Sequence, residues 1–227
     1  PLARMVDPSM NAAMAQTALW AVLGLQRRFF EYAAQQRAAV WRQHDASRPD
    51  ELTVAVLGLG QMGRAVAKAL ASQGYRVLGW SRTATAVDGV EVHAGADALP
   101  RVLARAAIAI NLLPLTPATN ALFDADMLAR MPPGASLVNL ARGAHVVEAD
   151  LLAALDCGHL NHAVLDVFAT EPLPPVHQFW SHPAVTVLPH VAAPTDPRSA
   201  SLIAARNVQA WREGRPPEHL VDRSRGY

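Results

Sequence analysis

The sequence predicts an α/β fold, a doubly wound parallel sheet with helices on both faces. Three observations carry that prediction. From Leu52 onward, short β-branched runs alternate with helical stretches. The first run leads directly into Gly58-Leu59-Gly60-Gln61-Met62-Gly63, a glycine-rich turn that opens a helix. Several later runs end in a charged or titratable residue. Strands that alternate with helices must be joined by crossovers, which makes the sheet parallel and covers both its faces.

Composition sets the bounds. The chain has 227 residues, 51% of them hydrophobic and 17% charged, enough for one large domain with a sizeable core. A net charge of +1 gives no case for a nucleic-acid-binding surface. No apolar run approaches the ~18 residues of a membrane span. No signal peptide is expected, and the single cysteine, Cys157, fits a reducing compartment, so a cytoplasmic protein is expected. His159 and His162 are three apart, but Gly158 breaks any helix before them and no third ligand is evident. Both are expected at the surface, with no metal site.

The elements follow in order. Asp7 and Pro8 form a helix-start signal, and Met10–Trp41 is expected to be one long helix. Met10, Met14, Ala18, Ala21, Leu25 and Phe29 recur at helical spacing, with Leu19, Leu23 and Phe30 as a second apolar stripe. A helix apolar on two sides is covered on two sides. It is either a core helix of one domain or one shared with a second subunit. His44–Asp50 is polar and contains Pro49, as a linker would. Strands are expected at Thr53–Leu57, Tyr75–Trp80, Val90–His93, Ala107–Leu112, Ser136–Asn139, Ala163–Val167 and Val185–Leu188, with a helix over Arg64–Ser72. A last helix, Pro197–Glu213, stops at Gly214. The expected division is 1–50 for the long helix and linker, 51–195 for a dinucleotide-binding domain, and 196–227 for a returning helix and tail.

The glycine turn fits G-x-G-x-x-G in the strand–turn–helix setting that the motif needs, the mark of a Rossmann-type domain. Gly58 permits the tight turn, Gly60 lets backbone approach a pyrophosphate, and Gly63 lets helix and strand pack closely. Gln61 and Met62 open the helix, whose free N–H groups favour phosphate. An acidic residue at the end of the second strand would select NAD through its ribose hydroxyl. The sequence has Ser81-Arg82-Thr83 instead, so NADP is expected, with NADPH preferred over NADH.

Arg142, Glu171 and His190 each follow a predicted strand, at the carboxyl ends where α/β sheets bind ligands. Together they suit reduction of a keto acid. Histidine is a ready proton donor near neutral pH, a glutamate beside it favours the imidazolium, and arginine grips a carboxylate by two points.

The order of glycine turn, Asn139-Leu140-Ala141-Arg142-Gly143, Leu165-Asp166-Val167-Phe168, Glu171-Pro172-Leu173-Pro174 and Pro189-His190 resembles the D-2-hydroxyacid dehydrogenases. Ile110–Pro117, Leu140–Glu148, Pro189–Ala193 and the tail Val221–Tyr227 are similar to the glyoxylate- and hydroxypyruvate-reducing branch of that family. The resemblance implies that Arg142 binds the substrate carboxylate and ketone oxygen, that His190 is the acid in reduction, and that Glu171 is its partner. It further implies that Asp166 takes the nicotinamide carboxamide, that Leu113, Pro114 and Thr116 line the adenosine side, and that Ala141 lines the nicotinamide side. The implied reaction is NADPH-dependent reduction of glyoxylate or hydroxypyruvate to glycolate or D-glycerate. A different 2-keto acid of the same family is the alternative. A homodimer through the long N-terminal helix is also implied. Family members begin with a substrate-binding domain, and this chain opens at Pro1 near the end of it. A binding module with little turnover is therefore the further alternative.

Overall fold

The computed structural model describes residues 2–221, so the tail motif beyond Val221 lies outside the described residues. Its centre is a seven-stranded sheet whose strands all run parallel: β1 (Thr53–Leu57), β2 (Arg76–Ser81), β3 (Glu91–Ala94), β4 (Ile108–Asn111), β5 (Ala135–Asn139), β6 (Leu160–Leu165) and β7 (Val185–Val187). The spatial order is β3-β2-β1-β4-β5-β6-β7, so the winding reverses between β1 and β4. A crevice opens at such a reversal, outside the carboxyl ends of the strands.

Alternate residues of each strand serve opposite faces, and the core divides accordingly. Val54, Val56, Val77, Ile108, Ile110, Val138 and Val164 point to the face covered by α1 (Pro8–Gln26) and α3 (Gln61–Ser72). Ala55, Leu57, Leu78, Ala109, Leu137, Ala163 and Leu165 point to the face under α4 (Leu99–Leu103), α5 (Ala125–Ala129) and α6 (Glu148–Asp156). Both faces are dry, which is why the strands read as near-continuous apolar runs. The last helix, α7 (Pro197–Arg212), is tied to the start of α1, where Ser199 Oγ donates to Asp7 Oδ2 at 2.5 Å. Among the described residues no helix is long and apolar enough to cross a membrane.

The N-terminal region departs from the sequence expectation. One helix over Met10–Trp41 was expected, but the chain breaks after Gln26 and resumes as α2 (Phe29–Arg37). The cause is Phe30, whose ring folds back onto Gly24. A Cβ on that glycine would stand 2.5 Å from the ring. Phe30 meets Trp20 edge-on at 5.3 Å and stacks on His162 at 5.0 Å. Reaching that slot forces Arg28 into the left-handed region, φ 56°, which ends a helix. Trp41 then lies in irregular chain, 95% exposed. Leu19 of the second stripe packs inward against the sheet core, leaving Trp20 and Phe29 as the exposed large apolar residues of this stretch. The segment 41–48 is irregular as expected of a linker, and Pro49–Glu51 forms one 3-10 turn.

His162 is a second correction. It was expected at the surface but is 6% exposed on β6, donating to or accepting from Thr186 Oγ1 at 2.9 Å beneath the Phe30 ring. Burial pushes its pKa down to about 4, with the Glu31 charge opposing and His182 adding to the shift. Its position in the strand, rather than before it, reverses the expectation, because β6 begins at Leu160 and not Ala163.

Candidate active site

The glycine turn joins β1 to α3 at the winding reversal. Gly58 sits at φ +99°, and a side chain there would strike the Leu112 carbonyl at 2.7 Å. A Cβ on Gly63 would fall 1.7 Å from the Gly58 oxygen, so only glycine lets α3 begin this close to the strand. Gly60 differs, since a Cβ there meets nothing within 4 Å among the described residues. Helix packing does not require glycine at Gly60. The turn faces open space there, beside the first N–H groups of α3, and this fits a pyrophosphate. Gln61 is exposed and Met62 half-buried at that helix start.

Ser81 ends β2, and its hydroxyl donates to the Thr83 carbonyl at 2.7 Å, curling Ser81-Arg82-Thr83 into a tight turn. Arg82 and Thr83 are exposed on it. Arg64, one residue past Gly63, braces this region, with Nε donating to the Leu59 carbonyl at 3.1 Å and Nη1 to the Ala86 carbonyl at 3.2 Å. After β4, Leu113 is buried and Pro114 exposed. Thr119 closes the loop, accepting from Thr116 N at 2.9 Å and donating to the Pro114 carbonyl at 2.7 Å.

The three residues of catalytic type share the same rim. His190 Nδ1 lies 2.7 Å from Glu171 Oε2, and the other oxygen of Glu171 accepts from Phe168 N at 3.0 Å. Burial would raise the Glu171 pKa. The His190 bond, the Phe168 N–H and the charges of His190 and Arg142 outweigh that, and the pKa is lowered. Arg142 follows β5 with its guanidinium donating to the Ala141 carbonyl at 2.5 Å, and Ala141 itself is buried. Gly143 after it passes so near Phe168 that a Cβ would lie 1.8 Å from its carbonyl carbon, which draws the Arg142 and Glu171 loops together.

Asp166 is 1% exposed, and both its oxygens are taken by backbone, from Val191 N at 2.7 Å and Ala192 N at 3.0 Å. Its carbonyl accepts from His190 N at 2.9 Å. These three bonds hold His190 at φ 56°, a conformation that persists only when its surroundings impose it. Thr17 of α1 adds a fourth tie, donating to the Ala192 carbonyl at 2.9 Å. Sequence reasoning missed Thr17, Arg64 and the buried Asn111, Asn139 and His145 beneath Arg142. Asn111, Asn139 and His145 fall within the quoted runs, but the pattern gives none of these five a role; only the fold brings them together. Among the described residues no three His, Cys, Asp or Glu side chains gather as a metal site.

A phosphate-fitting turn at the winding reversal, with a histidine–glutamate pair and an arginine on the same rim, defines a nicotinamide-dependent dehydrogenase. The family described as D-isomer specific 2-hydroxyacid dehydrogenase, NAD binding domain, matches residues 19–192, and the chain belongs to it. Glyoxylate/hydroxypyruvate reductase A of Yersinia enterocolitica is 43% identical over 227 residues, which is 100% of this chain and 72% of that protein. The crystal structure of a D-isomer specific 2-hydroxyacid dehydrogenase from Xanthobacter autotrophicus Py2, in complex with NADPH and MES, superposes with TM-score 0.97 at 42% identity, covering 100% of this chain and 94% of that one. The NADPH-dependent glyoxylate/hydroxypyruvate reductase of Sinorhizobium meliloti, in complex with NADP and sulfate, gives 0.96 at 36%, covering 100% and 73%.

Proposed function

We propose that this chain binds NADPH and reduces a small 2-keto acid, glyoxylate or hydroxypyruvate, to glycolate or D-glycerate. The observation that carries the reading is the His190–Glu171 pair at 2.7 Å, on the rim that also bears Arg142 and the glycine turn. Relatives with the same fold and about two-fifths of the same residues carry NADPH and the reductase name.

Gly58, Gly60, Gln61, Met62 and Gly63 hold the pyrophosphate, and Ser81, Arg82 and Thr83 hold the 2′-phosphate. Leu113, Pro114 and Thr116 line the adenosine side, and Ala141 the nicotinamide side. Asp166 takes the nicotinamide carboxamide and positions the His190 loop as well, since the N–H groups of Val191 and Ala192 use only part of the accepting capacity of its carboxylate. When bound, NADPH supplies the hydride for the keto carbon. Arg142 takes the substrate carboxylate by a two-point contact and polarises the ketone. His190 delivers a proton from its outer nitrogen to the carbonyl oxygen, completing the hydroxyl. Glu171 stays ionised because its pKa is lowered, so it steadies the charged ring before the transfer. We further propose a homodimer in which the exposed Trp20 and Phe29 of the N-terminal helices meet a second copy. The division into 1–50, 51–195 and 196–227 follows the same reading, with 51–195 as the cofactor domain.

The test is an assay of the purified protein with NADPH and each keto acid in turn. Consumption of NADPH with glyoxylate or hydroxypyruvate supports the reading. Reduction of neither, by protein that binds NADPH, overturns the substrate assignment.

A further inference from the structure

We infer that His145 is a positioning residue for the keto-acid site, the inner end of a buried amide–imidazole relay that fixes the main chain around Arg142. The inference rests on the reading that Arg142 binds the substrate carboxylate.

Asn111, Asn139 and His145 are each 0% exposed. Asn111 ends β4 and Asn139 ends β5, and the two are paired in register, so their side chains lie at the same level beneath the crevice. His145 reaches back to them from the turn after Arg142. Asn111 Nδ2 uses both hydrogens, donating to Asn139 Oδ1 and to His145 Nδ1, each at 3.0 Å. Asn139 then clamps the active-site strand end twice. Its Oδ1 accepts from Ala141 N at 3.2 Å, and its Nδ2 donates to the Arg142 carbonyl at 3.0 Å. Asn111 Oδ1 accepts from Leu113 N at 3.2 Å, and His145 Nε2 donates to the Pro114 carbonyl at 3.3 Å.

This count settles the histidine tautomer. Asn111 Nδ2 is only a donor and the Pro114 oxygen only an acceptor. The neutral ring with hydrogen on Nε2 satisfies both. The other tautomer could donate to the Arg142 carbonyl at 3.1 Å, but it would set two donors face to face at Asn111 Nδ2 and two acceptors face to face at the Pro114 oxygen. Nδ1 as an acceptor therefore orients the Asn111 amide, which orients the Asn139 amide, which holds Ala141 and Arg142. Burial favours the same neutral ring and lowers the His145 pKa, and the nearby Arg142 charge adds to this. A guanidinium that must meet a planar carboxylate at two points depends on such a base, because a displacement of about 1 Å can cost about a hundredfold in rate.

The experiment compares His145→Leu, His145→Gln and Arg142→Ala with the unaltered full chain. His145→Leu fills the space but removes both polar atoms. It is expected to raise the KM for glyoxylate by about tenfold or more and to raise the Kd for NADPH, from fluorescence titration, by clearly less, because the Pro114 carbonyl keeps its bond from Thr119. His145→Gln carries both an acceptor and a donor and is expected to recover most of that loss. An unchanged glyoxylate KM in the leucine variant, with Arg142→Ala impaired, overturns the relay alone. An unchanged KM in Arg142→Ala overturns the substrate reading and the relay with it. Should the leucine variant fail to fold, nitrogen-15 NMR of the unaltered protein decides. A neutral ring with hydrogen on Nε2 that persists at mildly acid pH is expected, and an Nδ1–H tautomer overturns the inference.

Discussion

His190 is exposed enough to reach substrate, yet its backbone sits in a conformation that only its neighbours make tenable. Replacing it with alanine should therefore leave the fold intact and lower kcat by ~10²–10⁴-fold, the usual contribution of a placed proton donor. Near-normal turnover in His190→Ala would remove it from the reaction. Glu171→Gln takes away the anion 2.7 Å from the ring, so kcat for reduction should fall while the Kd for NADPH holds, and an unchanged kcat would remove Glu171 from the reaction. The carboxylate keeps its charge well into acid because its own pKa is lowered, so at the acid end the pair is lost as pH falls through that lowered value. The turn Ser81-Arg82-Thr83 places no carboxylate against a 2′-phosphate. Arg82→Ala should cost NADPH ~1.5–3 kcal/mol of binding, tenfold or more, with little effect on NADH. Titration with both cofactors reads this directly, and an unchanged ratio would mean that another group selects the cofactor.

Among the elements, the break between α1 and α2 shows how one aromatic side chain overrides helical periodicity. Gly24→Val should push Phe30 off its seat and destabilise the chain by ~1–3 kcal/mol, visible as a lowered Tm. The sheet was legible residue by residue, since a doubly covered strand leaves an unmistakable apolar run, and all seven strands occur where the runs stand. Gly58, Arg142, Glu171 and His190 were singled out for a related reason: each follows such a run within a few residues. What could not be read lies across sequence. The seat of Phe30 against His162 joins residues far apart in the chain, and the left-handed turn at Arg28 has no local signature. Likewise, the ties of Asp166 to the His190 loop become visible only when the ends of β6 and β7 are laid side by side.

For the molecule as a whole, the buried His162 links stability to pH. Its pKa in the folded chain, about 4, lies below the ~6.5 of an exposed ring, so the unfolded chain takes up a proton first as pH falls. The stabilisation is fully present above pH ~6.5 and is lost progressively towards pH ~4, by ~3 kcal/mol at most. Denaturant titrations across that window should show the loss, and His162→Gln should flatten it. At the same scale, Trp20→Glu should convert the proposed dimer to a monomer while α1 stays packed on α3. Sedimentation of the unaltered chain as a monomer at micromolar concentration would dispose of the dimer. Parallel strands have one further consequence. Every side chain assigned to chemistry or cofactor issues from one rim of the sheet, so the opposite rim is free for handling. Cys157, the single cysteine, caps α6 just before β6 and is exposed on that far rim. A maleimide dye or a surface tether attached there would leave the crevice facing solution. The protein thus comes with a ready anchoring point for optical or single-molecule measurements on its working side.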